Sequence, residues 1–217
     1  MSEGMTRREF LTATATVGAG ITVAGAIGCT PTAVTSTTEV PTPSTSYGGD
    51  DEMSKRVLVG YATGTGSTTG VAEAIGKTLG ERGFEVDVKP MKERPSVDGY
   101  DAVVLGSAIN GGQWLPEAVD YLEANRTALG KVPVSLFCVH AMNCGTDPKK
   151  TKRRLAYLDK ERALVKPADE GFFAGQGPTG ANSNVITRWA FRTFGGDVEG
   201  DGRDWDAIQV WARGVPV

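Results

Sequence analysis

A chain of 217 residues with 23 basic and 26 acidic side chains holds one domain, or one domain with an extension. A single histidine, His140, excludes a histidine-rich metal site, and three cysteines with no CxxC spacing leave no metal-ligand cluster. Arg7, Arg8 and six of the carboxylates precede Met53, so the rest carries 21 basic and 20 acidic residues, a balance that gives no sign of a nucleic-acid partner.

Residues 1–29 read as an export leader. Thr6-Arg7-Arg8-Glu9-Phe10-Leu11 is a twin-arginine pattern, and the weakly apolar stretch 13–27 follows it. That stretch is shorter than the roughly twenty apolar residues a spanning helix needs. Ala26-Ile27-Gly28-Cys29 has the form of a lipoprotein cleavage box. Lipid on Cys29 would hold the mature protein at the outer face of the cytoplasmic membrane; an ordinary signal peptide with an incidental cysteine is the alternative. Residues 30–53 are dominated by Thr, Pro and Ser and bury too little apolar surface to fold, so they predict a disordered tether. One folded domain is expected over 54–217.

Within it, β-branched runs alternate with helical patterns. Residues 56–62 predict a first strand. After it come Thr63-Gly64-Thr65-Gly66-Ser67-Thr68 and a helix over 69–82, with Val71, Ala72, Ile75 and Leu79 on one face. Residues 84–88 alternate apolar and charged side chains, as an edge strand does. A buried central strand is expected over 101–107, and a helix over 115–129 with Pro116 in its first turn. Residues 133–140 predict a strand whose Cys138 is a buried structural thiol. A basic helix over 149–164, a last strand over 171–176 and helices over 185–194 and 205–213 complete the pattern. The expected class is α/β, a doubly wound five-stranded parallel sheet with helices on both faces.

In such sheets the ligand lies beyond the carboxyl ends of the strands, which here carry the loops 63–68, 107–113 and 140–147. The first can turn backbone N–H groups and up to four hydroxyls onto one anion, with a helix N-terminus behind them. A nucleoside triphosphate loop places a lysine beside its Ser/Thr. This loop has none, which points to a single terminal phosphate.

Thr63-Gly64-Thr65-Gly66-Ser67-Thr68 resembles the T/S-x-T-G-x-T phosphate loop of the flavodoxin family, in the expected strand–loop–helix context. Leu105-Gly106-Ser107-Ala108-Ile109-Asn110-Gly111-Gly112, Lys152-Arg153-Arg154-Leu155-Ala156-Tyr157 and the ending Phe194-Gly195-Gly196-Asp197 … Asp204-Trp205-Asp206-Ala207-Ile208 look like its menaquinone-dependent protoporphyrinogen oxidase branch. The resemblance covers about 55–214 and implies a flavodoxin-like fold with FMN as cofactor and no metal. By it, Thr63, Gly64, Thr65, Gly66, Ser67 and Thr68 hold the phosphate. Ser107, Ala108, Ile109, Asn110, Gly111 and Gly112 flank the flavin ring on one side, and His140, Ala141, Met142, Asn143, Cys144 and Gly145 on the other. One departure is that Ala141-Met142-Asn143 offers no aromatic where flavodoxins often stack one on the ring; Trp114 stands either as a substitute or as a core residue.

The implied function is an exported, lipid-anchored FMN protein that carries electrons between a membrane donor such as a quinone, or a redox partner protein, and an extracytoplasmic acceptor. An FMN-dependent quinone-linked dehydrogenase similar to protoporphyrinogen oxidase is one alternative, and a flavin-free surface interaction module another. Lys149, Lys150, Lys152, Arg153, Arg154, Lys160, Arg162 and Lys166 offer a basic face to porphyrin propionates, an acidic partner or anionic lipid, or simply to solvent.

Overall fold

The strands fall where short β-branched runs place them. The computed structural model describes residues 40–49, 54–177, 191, 193, 196–198 and 200–217; the leader with Cys29 and most of the helix expected over 185–194 lie outside the described residues. In chain order the elements are β1 (Thr45–Tyr47), β2 (Arg56–Ala62), α1 (Ser67–Glu81), β3 (Glu85–Pro90), β4 (Ala102–Asn110), β5 (Gln113–Trp114) and α2 (Pro116–Leu129). There follow β6 (Val134–His140), α3 (Pro148–Leu155), α4 (Asp159–Leu164), β7 (Asp169–Ala174) and α5 (Trp205–Gly214).

Five of these strands pair in parallel in the order β3-β2-β4-β6-β7. The second parallel strand in the chain lies outside the first and the third lies on its other side, so the winding reverses between β2 and β4. A crevice opens at such a switch, outside the carboxyl ends of the strands. In register, Ala62 of β2 faces Ser107 of β4, and Ser107 faces Cys138 of β6, so three loops leave the sheet at one level.

Strand periodicity sorts the apolar residues onto two faces. Leu58, Val103, Leu105, Leu136 and Cys138 pack under α2 and the α3–α4 region. Val57, Val59, Tyr61, Val104, Phe137 and Val139 pack under α1 and α5. β2, β4 and β6 are buried almost throughout, as strands covered on both faces must be. Truncating one of these Leu or Ile residues to Ala costs roughly 2–5 kcal/mol, so both faces hold the crevice walls rigid.

Four expectations change. The strand expected at the edge is covered: β1 pairs antiparallel with β3, Thr45 with Val88 and Tyr47 with Val86. The tether therefore ends before residue 53, because three residues too short to show a periodicity complete the sheet. β4 runs on to Asn110, so Ser107, Ala108, Ile109 and Asn110 are strand residues instead of loop. Gly111 and Gly112, both at positive φ, form the two-residue turn of a hairpin to β5, a turn that demands left-handed backbone at both positions. The basic helix is broken at a 3-10 turn, Ala156–Leu158, the point at which Tyr157 and Leu158 enter the core. β7 ends at Ala174, which leaves Gly175 and Gln176 in a fourth loop at the carboxyl end.

Candidate functional site

The loop from Thr63 to Thr68 is shaped by its own residues. Thr63 Oγ1 accepts the Gly66 N–H at 2.9 Å, and Gly66 takes the left-handed conformation that aims the chain into α1. The helix begins without a side-chain cap and with no acidic residue in its first turn. Its leading N–H groups are therefore free to bind an anion, and the helix dipole favours one. Behind them the Thr68 hydroxyl is fully buried and has no hydrogen-bond partner. A buried polar group left in that state is costly, and a ligand oxygen would satisfy it. The nearby cation Arg203, which lies against Gly70, is taken by Asp201 at 2.5 and 2.8 Å, so the cradle consists of neutral donors.

Two cavities lead away from this loop. One, of about 360 Å³, brings Gly64, Thr65 and Ser67 together with Ala108, Ile109, Asn110, His140 and Ala141, and adds Leu115, Val139, Gly175 and Gln176. The next, of about 410 Å³, shares Ile109, Asn110, His140 and Ala141 with the first and is completed by Gly111, Gly112, Met142, Tyr157 and Phe191. A narrow polar cavity at a hydroxyl loop joined to a broader, aromatic-walled one fits a ligand with a phosphate tail and a planar head.

His140 forms the wall common to both. It ends β6, is 4 % exposed, and its Nδ1 lies 2.8 Å from the Met142 carbonyl. A carbonyl only accepts, so Nδ1 carries the proton and Nε2 is an acceptor, buried and without a partner. Burial, with the Arg154 charge adding to it, lowers the imidazole pKa to about 4, so the ring is neutral at neutral pH. Tyr157 packs against it with ring centroids 5.5 Å apart.

Several expected site residues have other work. Ser107 is buried, donates to Ala108 O at 2.9 Å and accepts the Leu115 N–H at 3.0 Å, tying the end of β4 to the start of α2. Asn143, at φ 60°, donates to Tyr157 Oη at 2.6 Å. Arg154 Nη1 donates to both Asn143 O and Gly145 O, at 3.0 and 2.9 Å. Asp197 accepts the Cys144 N–H at 2.9 Å and pairs with Lys150. Asn143, Cys144 and Gly145 thus line neither cavity and serve as the latched outer half of their loop. Half-burial and the Asp197 charge push the Cys144 thiol pKa up to about 11, so it is held as the thiol at neutral pH. Trp114 is a core residue whose Nε1 donates to Cys138 Sγ at 3.2 Å, and burial pushes that thiol up to about 12.

The aromatic walls are Tyr157 and Phe191, brought from distant segments; the only sequence signal was the Lys152–Tyr157 motif itself. Leu115, Val139, Gly175 and Gln176 had no signal beyond their positions at strand ends. Among the described residues no group of His, Cys, Asp and Glu could hold a metal ion, and no helix is long and apolar enough to cross a membrane.

A family model described as "Flavodoxin domain" matches residues 58–178, which takes in the hydroxyl loop, both cavities' strands and Gly175–Gln176. Over 107 residues the chain is 25% identical to the Escherichia coli (strain K12) protein "Protoporphyrinogen IX dehydrogenase [quinone]", a match covering 48% of this chain and 59% of that protein's length. Among solved structures, oxidised flavodoxin 1 of Bacillus cereus is 15% identical, with 64% of this chain and 94% of that one covered and a TM-score of 0.43. A flavodoxin, WrbA-like protein of Agrobacterium tumefaciens is also 15% identical, covering 75% and 95% at a TM-score of 0.44.

Proposed function

The chain belongs to the flavodoxin domain family and its cofactor is FMN, and on that premise we propose that it is an exported, lipid-anchored electron carrier. It passes electrons between a membrane donor of the quinone class and an extracytoplasmic acceptor. The observation that carries this reading is the pair of cavities sharing Ile109, Asn110, His140 and Ala141, which begins at a lysine-free cradle and ends at an open aromatic slot.

FMN supplies one- and two-electron oxidation and reduction when bound, so the protein's task is to bind, orient and shield. In this reading the Thr68 hydroxyl and the first N–H groups of α1 meet the phosphate, with Thr65 and Ser67 beside them. Neutral donors suit a single phosphate that is held and never transferred. Ile109, Asn110 and Ala141 form the waist between tail and head. His140 Nε2, left an acceptor without a partner by the Met142 bond to Nδ1, would be available to an N–H of the ring. Tyr157 and Phe191 wall the ring slot against water.

A second reading, an FMN-dependent dehydrogenase, is favoured by the similarity to the Escherichia coli protein, whose name gives protoporphyrinogen and a quinone. Two assays separate them. A menaquinol dissolved in liposomes should reduce the FMN of the anchored protein, seen as loss of visible flavin absorbance. If dithionite reduces it and the quinol does not, the membrane donor is wrong. Turnover of protoporphyrinogen with a menaquinone analogue would replace the carrier by the enzyme. The anchor has its own check: Cys29→Ser should release the protein into the soluble fraction at high salt, and a mass spectrum of the wild-type protein with no acyl chain on Cys29 would overturn it.

A further inference from the structure

Helix α3 sits on the surface of the domain. Its sequence is Pro148-Lys149-Lys150-Thr151-Lys152-Arg153-Arg154-Leu155, and none of these side chains is buried. Lys150 and Arg154 turn inward to Asp197 and to the Asn143 and Gly145 carbonyls, so α3 lies across the carboxyl end of the sheet. Lys149, Lys152 and Arg153 are exposed and carry no ion pair among the described residues. The neighbouring carboxylates are spent: Asp147 caps the helix at the Lys149 and Lys150 N–H groups, and Asp159 pairs with Arg162. Between these cations Leu155 is 44 % exposed in a depression of about 620 Å³ lined also by Thr146, Pro148, Thr151, Lys152, Ala156 and the Arg162-paired Asp159.

The path of the chain supplies an independent observation. Val40 lies at Gly66, its Cγ1 3.5 Å from where a Cβ on that glycine would stand. Pro43 O accepts from Tyr61 Oη at 2.7 Å and Ser44 Oγ donates to Glu93 at 3.2 Å. β1 then runs down the sheet, away from that end. The 39 residues before Val40 therefore join the domain at the carboxyl end of the sheet, the end that holds the cavities and α3.

We propose that the outer face of α3, with Lys149, Lys152, Arg153 and Leu155, docks on the headgroups of an anionic lipid surface and so turns the open edge of the ring slot towards the bilayer. The occupant follows from two features. Three unpaired cations around one exposed apolar side chain match an anionic interface, and a chain attached to a membrane upstream of Val40 delivers this end of the domain to it. The proposal rests on the membrane attachment given above, and its test does not require bound FMN.

The full-length protein is partitioned onto phosphatidylglycerol vesicles and onto phosphatidylcholine vesicles, as wild type and as Lys149→Gln/Lys152→Gln/Arg153→Gln. The apolar leader and Arg7 and Arg8 act alike in both proteins, so the change in the anionic-to-neutral ratio reads α3 alone. That ratio should fall in the variant by on the order of a hundredfold, from about fivefold per charge. Amide exchange over 148–155 should also slow on anionic vesicles and not on neutral ones. An unchanged ratio, or protection confined to other segments, overturns the proposal. So does salt-sensitive binding of an acidic soluble protein that protects 148–155 while anionic vesicles do not. A wild-type protein lacking flavin bands but keeping the lipid response would sink the redox reading and leave the docking face standing.

Discussion

The two arcs that face each other across the crevice are built in opposite ways. The arc 63–68 is closed by its own residues, Thr63 onto Gly66 and Gly66 into α1, and its one buried side-chain group without a partner is Thr68 Oγ1. The arc 140–145 is held from outside by Tyr157, Arg154 and Asp197, the last 53 residues from the Cys144 N–H it accepts. The first is closed locally and the second is latched from distant segments. A site assembled this way grips the tail of its ligand firmly and leaves the head's surroundings open to tuning from the surface.

That contrast predicts a ranking. Thr65→Ala and Thr68→Ala should each weaken FMN binding by about 1.5–3 kcal/mol, the worth of a hydrogen bond to a charged group, with the thermal midpoint of the apoprotein little changed. Calorimetric titration checks it, and unchanged affinity would remove the phosphate from 63–68.

His140 should dominate the acid side of the stability curve. Its folded pKa of about 4 lies below the ordinary 6.5, so the folded state resists protonation. The contribution is complete above about pH 6.5 and is lost as pH falls towards 4, at about 3 kcal/mol in all. Denaturant unfolding across that range should show the loss in the wild type and a flatter curve in His140→Asn.

Releasing the latch is a smaller perturbation. Arg154→Met removes two donors from one loop at a cost of about 1–2 kcal/mol. Amide exchange should quicken at 143–145 and FMN should dissociate faster, while exchange at 66–69 stays as it was. Equal loosening of both arcs would erase the distinction between them. Smallest is Glu161→Gln, which removes a buried carboxylate whose Oε2 has no partner and whose pKa burial raises. A group that holds its proton more tightly when folded loses stability as pH rises above about 4.5. The amide variant should therefore gain on the wild type at neutral pH and match it at pH 4.

The same contrast separates what was legible in the sequence from what was not. Strand β2 and helix α2 were readable because a β-branched run and a proline-started helical pattern are local signals. The hydroxyl loop was readable for the same reason, since its chemistry and its geometry lie in six consecutive residues. β1 was not, because Thr45–Tyr47 is strand only by virtue of the partner β3. For Ser107 the sequence gives no sign that the hydroxyl ties β4 to α2. Gly111 and Gly112 are both the turn of a hairpin and part of the second cavity's wall, and the sequence alone does not separate those two demands for glycine. Tyr157 reaches the site only because the basic helix breaks beside it, and helical periodicity carries no sign of that break.

The central claim is that a phosphate-anchored flavin occupies both cavities, and it is tested most directly by titrating the purified apoprotein with FMN and with riboflavin. The two ligands share the ring and differ in the phosphate. FMN should bind more tightly by about a hundredfold or more, roughly 3 kcal/mol, and bring the visible bands of a flavoprotein with it. Equal affinity for the two, or uptake of neither, would contradict the account.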